Sequence, residues 1–172
     1  MTSGIFSAAP VDLERARLLP LAPRACVNLA QNIVAMPPWS VMRYPAEAMA
    51  RFLATADDGA SRYLVEIDDE TAGAVSVRFP WLKGPYIELL VLLPKFQGQG
   101  IGASLLTWVE QQALRHEARN LWVCASAFNA RALHFYARHG FQEAAVLPGL
   151  IADGYDEILL RKFPLGGAGG SD

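Results

Sequence analysis

Residues 86 to 103 read Tyr86-Ile87-Glu88-Leu89-Leu90-Val91-Leu92-Leu93-Pro94-Lys95-Phe96-Gln97-Gly98-Gln99-Gly100-Ile101-Gly102-Ala103. A nearly all-apolar strand candidate, buried on both faces, runs through alternating glycines into an amphipathic helix candidate. Without Cβ atoms, Gly98, Gly100 and Gly102 let the backbone approach a ligand and turn its N–H groups inward. The helix start adds unpaired donors and the positive end of the helix dipole. Gln97, Gly98, Gln99, Gly100, Ile101, Gly102 and Ala103 therefore suit a phosphate or pyrophosphate. The plainer reading is a glycine-rich connection with no ligand. A dinucleotide site would need an acidic residue at the end of the next strand. That strand ends Ala125-Ser126-Ala127-Phe128-Asn129, without an acid. No Gly-Lys-Ser/Thr follows the glycines, so the nucleotide P-loop is excluded.

The rest of the chain is read around this segment. The spacing predicts helices over residues 23–35 and 45–55, the second ended by Asp57-Asp58-Gly59. Strands follow over 62–67 and 72–79, joined at Asp68-Asp69-Glu70, then over 86–93. A helix over 100–115, a strand over 121–127, a helix over 130–139 closed by Gly140, and strands over 141–146 and 155–163 complete the pattern. Strand-helix-strand-helix-strand between antiparallel hairpins implies a mixed α/β sheet. With 52% hydrophobic residues in 172, the chain has enough apolar surface to fold as one domain without metal or disulfide. We expect that domain over residues 1–165 and a flexible glycine-rich tail over 166–172. A net charge of -2, with both signs interspersed, gives no reason to expect nucleic acid or a membrane surface as partner. Cys26 and Cys124 form neither a disulfide framework nor a metal motif, which favours a reducing compartment. No segment is long and apolar enough to span a membrane, and Met1 to Pro10 lacks a signal-peptide pattern. The cytoplasm is the expected location.

These residues resemble the GNAT superfamily of amine N-acetyltransferases. Gln97-Gly98-Gln99-Gly100-Ile101-Gly102 stands at the spacing of that family's coenzyme signature. A second signature follows as Asn129-Ala130-Arg131-Ala132-Leu133-His134-Phe135-Tyr136-Ala137-Arg138-His139-Gly140-Phe141. The resemblance runs from about Arg62 to Lys162. It implies a single-domain GNAT-like fold: a mixed, mostly antiparallel sheet of six to seven strands, splayed in the middle and flanked by helices. It implies acetyl-coenzyme A as co-substrate, no metal, and direct attack with no covalent enzyme intermediate. The loop from Gln97 to Ala103 would hold the pyrophosphate. The backbone near Leu92 and Leu93 would pair with the pantetheine arm as an added strand. Asn129 would bond to the coenzyme in the splay, and Tyr136 would sit by the thioester sulfur.

The chemistry needs a proton acceptor, because an amine with a pKa near ~10 is almost wholly charged at neutral pH. Glu88 is the first candidate. Simple alternation sets it on one face with Leu90 and Leu92, and a carboxylate in so apolar a strand is poised to take a proton. The alternative is an ion pair with an arginine of a neighbouring strand. A backbone N–H near Leu92 would serve the oxyanion if the strand bulged there. Tyr136 suits the return of a proton to the leaving thiolate, since phenol (~10) and thiol (~8.5) are close in acidity. His134 is a rival for either role, whereas His116 and His139 read as surface residues. Met36, Trp39 and Trp81 are candidates for an amine pocket. Asp153, Asp156 and Glu157 read as solvated charge that could also attract a cationic acceptor. Pro38-Trp39-Ser40 is similar to the start of ribosomal-protein N-terminal acetyltransferases and favours a peptide α-amine. The final hairpin, Asp153-Gly154-Tyr155-Asp156-Glu157, departs from that group and keeps a small-molecule amine open. A non-catalytic acetyl-coenzyme A sensor, a different acyl donor and a homodimer also stay open.

Overall fold

The computed structural model describes residues 5–6 and 10–167. Its strands are β1 (Val11–Asp12), β2 (Arg17–Pro20), β3 (Ala60–Ile67), β4 (Glu70–Trp81), β5 (Gly84–Leu92), β6 (Leu121–Ser126), β7 (Gln142–Pro148) and β8 (Asp156–Lys162). Its α-helices are α1 (Pro23–Val34), α2 (Ala46–Ala54), α3 (Ile101–Arg115) and α4 (Ala130–Arg138), with one 3-10 turn at Pro94–Phe96. The strands form one sheet in the order β1-β2-β3-β4-β5-β6-β8-β7. Only β5 and β6 run parallel; the other neighbours are antiparallel. This is the mixed, mostly antiparallel α/β sheet expected, with eight strands instead of six or seven.

The extra strands are β1 and β2. At two and four residues they are too short to announce themselves by alternation. They earn their place through Leu18, fully buried and opposite Val65 of β3. The turn between β3 and β4 is Asp68-Asp69, both at positive φ (49° and 61°), which Asp tolerates better than most residues.

Alternation along the strands divides the core in two. Tyr63, Val65, Val75, Val77, Val123 and Leu160 pack with Leu105, Trp108 and Val109 of α3 on one face. Ala74, Leu89 and Val91 pack with Leu29 and Ile33 of α1 and Met49 and Leu53 of α2 on the other.

One irregularity changes the expected geometry of β5. Ser76 of β4 pairs with Leu89 and Val77 with Ile87, so Glu88 is the extra residue of a β-bulge. The bulge reverses the phase of the strand. Ile87, Leu90 and Leu92 pack on the α3 side, and Leu89 and Val91 on the α1–α2 side. Glu88 meets Ser76 and Arg78, on the α1–α2 face. It does not share a face with Leu90 and Leu92, as uninterrupted alternation predicts.

β5 and β6 are paired only at Tyr86↔Trp122 and Ile87↔Val123. Beyond those two pairs the strands diverge, which is the splay implied by the resemblance. Leu165 is buried and its N–H donates to the Arg119 carbonyl at 3.0 Å, so the packed chain reaches that residue. Residues 168–172, most of the expected tail, lie outside the described residues, as do 1–4 and 7–9 of the N-terminal stretch. Among the described residues no helix is long and apolar enough to cross a membrane, and no group of three or more His, Cys, Asp or Glu is placed to hold a metal.

Candidate active site

At one end of the splay lies the glycine loop. Gly98 and Gly100 have φ of 72° and 78°, left-handed values that L side chains rarely adopt. Gly100 is the N-cap of α3, and no side chain caps that helix, so its first N–H groups are left for another acceptor. A Cβ on Gly98 would meet nothing within 4 Å, so there is open space beside the loop. Gly102 also serves packing: a Cβ there would stand 3.3 Å from the Phe135 ring, so this glycine lets α4 pack on α3.

Side chains hold the loop in shape. Gln97 Nε2 donates to the Leu92 carbonyl at 2.8 Å, and Arg131 Nη1 donates to Gln97 Oε1 at 2.8 Å. Arg15 Nη1 donates to the Gln99 carbonyl at 2.7 Å. Two guanidinium groups therefore flank the loop, and both favour an anion there. Arg15 was missed from the sequence. It lies between two very short strands, 84 residues from its partner, with no local signal.

The exposed edge of β5 is polar in alternation. The Leu93 N–H donates to the Ala72 carbonyl at 2.8 Å, so it is turned towards β4. In an antiparallel ladder the alternate residues Leu90 and Leu92 then turn their backbone groups into the splay. The Leu92 carbonyl is taken by Gln97, which leaves the Leu92 N–H. Leu93 is thus not free to pair with a ligand on that edge. The strand bulges at Glu88 and not at Leu92, which is in regular register with Gly73, so the condition set for an oxyanion donor near Leu92 is not met.

At the other end of the splay is a cavity of about 250 Å³. That is room for the reacting ends of two molecules rather than for a whole large ligand. Trp39, Tyr44, Phe52, Tyr86, Glu88, Cys124, Ser126, Asn129, Tyr136 and Glu157 are among its walls. Tyr136 belongs to the α3-side core and reaches the cavity from α4 through the splay. Its ring stands edge-on to Phe135 and Phe141, and burial pushes its phenol well above the usual value, so it stays protonated until a thiolate forms beside it, and its acidity is not the near match to a thiol expected from the free groups. Asn129 caps α4, its Oδ1 accepting from the Ala132 N–H at 3.2 Å, and also lines the cavity.

The two carboxylates of the cavity are held differently. Glu88 accepts from Ser76 Oγ at 2.7 Å and from Arg78 Nε at 2.7 Å, with Arg62 Nη2 at 3.9 Å. Arg78 also pairs with Asp57. The arginine alternative for Glu88 is therefore present together with its place in the cavity. Glu157, read from the sequence as solvated, is buried at 5% exposure. It accepts one hydrogen bond, from Ser126 Oγ across the β6–β8 pair. Burial pushes its carboxyl above the usual range, against the lowering effect of that hydrogen bond. Tyr86 and Cys124 lie against one another beside it, and burial raises both.

The remaining candidates sort simply. Trp39 lines the cavity, Met36 packs in the α1–α2 core, and Trp81 stacks on Tyr86 with ring centres 4.6 Å apart. His134 and His116 are exposed. His139 is half-buried, with Nδ1 2.7 Å from the Phe135 carbonyl, and is not the surface residue expected. Asp153 and Asp156 are exposed.

Residues 28–141 match the model of the acetyltransferase (GNAT) family. The streptothricin acetyltransferase of Streptomyces lavendulae is 31% identical over 118 residues, covering 64% of this chain and 62% of that protein. The S-alkylcysteine N-acetyltransferase of Bacillus subtilis is 36% identical over 61 residues, covering 32% of this chain and 34% of that protein. Each match spans less than two thirds of the relative's own length. In fold, the chain is similar to a GNAT family acetyltransferase from Elizabethkingia anophelis solved with acetyl-CoA bound. The TM-score is 0.59 at 20% identity, over 74% of this chain and 91% of that one.

Proposed function

Because the chain belongs to the GNAT acetyltransferase family, we propose that it moves an acetyl group from acetyl-coenzyme A to a primary amine by direct attack. The observation that carries this reading is the two-pair seam between β5 and β6, with the uncapped α3 N-terminus at one end of the gap and the Tyr136 cavity at the other. Gln97, Gly98, Gln99, Gly100, Ile101, Gly102 and Ala103 hold the pyrophosphate, with Arg15 and Arg131 beside them. The Leu92 N–H and Asn129 hold the arm, and the thioester reaches Tyr136. The amine enters from the α1–α2 face, past Trp39, Tyr44 and Phe52. Tyr136 gives the departing thiolate its proton. Glu88 and Glu157 are the two carboxylates within reach of the amine.

The test is thermal unfolding with and without acetyl-coenzyme A, with NAD and ATP as controls. At a hundred times its Kd a ligand adds about 2.7 kcal/mol, a rise of several degrees for a domain of this size. A rise with acetyl-coenzyme A alone is expected, followed by thiol release with an amine panel of streptothricin, an S-alkylcysteine, a polyamine and a peptide with a free α-amine. No rise would remove the coenzyme site.

A further inference from the structure

We propose that Glu157 is the group that takes the proton from a cationic acceptor amine in this cavity, an assignment that rests on the transferase reading above. Both carboxylates line the cavity on the α1–α2 face, but only one has its charge answered. Glu88 is bound by Arg78 and Ser76 and lies near Arg62, so its lone pairs and charge are already engaged. Among the described residues Glu157 has one hydrogen-bond partner, the neutral Ser126. No Arg, Lys or His is among the described residues that line the cavity. Among the described residues, Ser126 and Cys124 of β6 and Tyr86 of β5 lie beside Glu157, and Glu88 of β5 and Tyr136 of α4 line the same cavity. None of these carries a positive charge. A buried carboxylate without a cation is completed by one that arrives with the substrate, and an ammonium group is such a cation. Trp39, Tyr44, Phe52 and Tyr86 present aromatic rings to the same space, which suits a cationic head.

The sheet explains why Glu157 is there. Ser126 and Glu157 are direct cross-strand partners, on the face that alternates away from Ala125 and Ile158 of the α3-side core. The β5–β6 splay opens that face to the thioester. Glu157 takes one proton from R–NH3+, and the freed nitrogen pair forms the C–N bond. The C–S bond breaks with its electron pair on sulfur. Tyr136 protonates the thiolate and is reprotonated from the nitrogen's second proton, and Glu157 returns its own proton to solvent.

The test uses the full chain with whichever amine of the panel the wild type acetylates. Glu157→Gln keeps the acceptor for Ser126 and removes the base. Its kcat/KM at pH 7 is expected to fall about a hundredfold, with the deficit shrinking towards pH 10 as the free amine becomes neutral. The acetyl-coenzyme A thermal shift is expected to stay unchanged. A rate within twofold of wild type, or a deficit equal at every pH, overturns the assignment. Ser126→Ala provides an independent reading. It removes the one hydrogen bond that favours the charged carboxylate, so the acidic limb of the kcat/KM profile is expected to move to higher pH. An unmoved limb overturns the assignment. If the wild type shows the coenzyme shift but acetylates no amine, the transferase reading fails and this assignment with it. Loss in the variants alone cannot produce that result.

Discussion

Glu88 and Glu157 carry the same side chain into one cavity from opposite sides of the splay, and their surroundings separate them. Tyr136 lines the same cavity, and the acid role proposed for it leads to a sharp expectation. Tyr136→Phe keeps the rings packed against Phe135 and Phe141 but has no proton to give. Its kcat should fall by roughly a hundredfold, while the Kd for acetyl-coenzyme A stays within about twofold; steady-state kinetics with calorimetry checks both. A kcat near wild type would leave Tyr136 as packing alone. The sequence pointed to Tyr136 because its signature is local, all within one helix and its cap. It named Glu157 only together with Asp153 and Asp156, as solvated charge that could also attract a cationic acceptor, and could not single it out. The partner that defines that residue, Ser126, is 31 positions away and faces it only through the β6–β8 register. A run of acids at a hairpin looks solvated until the register is known.

At the scale of elements, β5, the glycine loop and α3 were legible because each has its own pattern: an apolar run, glycines at fixed spacing, an amphipathic repeat. The bulge in β5 was not, because a bulge is a relation between two strands and its residue, Glu88, looks ordinary in either. The short pair β1–β2 was hidden for a similar reason, being held by β3 rather than by its own length. The loop makes the clearest prediction at this scale. Gly100→Glu forces a left-handed φ on a side chain and sets a negative charge at the uncapped end of α3. Acetyl-coenzyme A should then give no thermal shift, although the variant remains folded by circular dichroism. A retained shift would mean that the loop does not hold the pyrophosphate.

For the whole molecule, charge couples the cavity to stability. Arg78 joins Glu88 to Asp57, and its hydrogen bond holds the Asp57 carboxyl below the usual carboxylate range, helped by the Gly59 N–H. A carboxyl lowered in the folded state contributes stability that is present above its unfolded value and lost as pH falls through the folded one. Asp57→Asn should therefore unfold at a lower temperature than wild type at pH 7, with the gap closing towards pH 3. Thermal unfolding across that range tests it, and a constant gap would exclude the linkage. A mixed sheet could be anticipated from the alternation of elements, and an arginine partner for Glu88 was one of the alternatives, but the link from Arg78 on to Asp57 could not be read, since its members come from separate segments.

The two-pair seam has a mechanical meaning as well. It divides the sheet into two antiparallel plates, β1 to β5 and β6 to β8, joined edge to edge over a width of two residues. Such a joint resists shear poorly, and the plates are kept in step chiefly by the α3-side core beneath them. A linear thioester lying in the gap would act as a splint. It would lend the joint stiffness only while bound, so that amide hydrogens on both plates would slow their exchange together, including those on β8 that the ligand never touches.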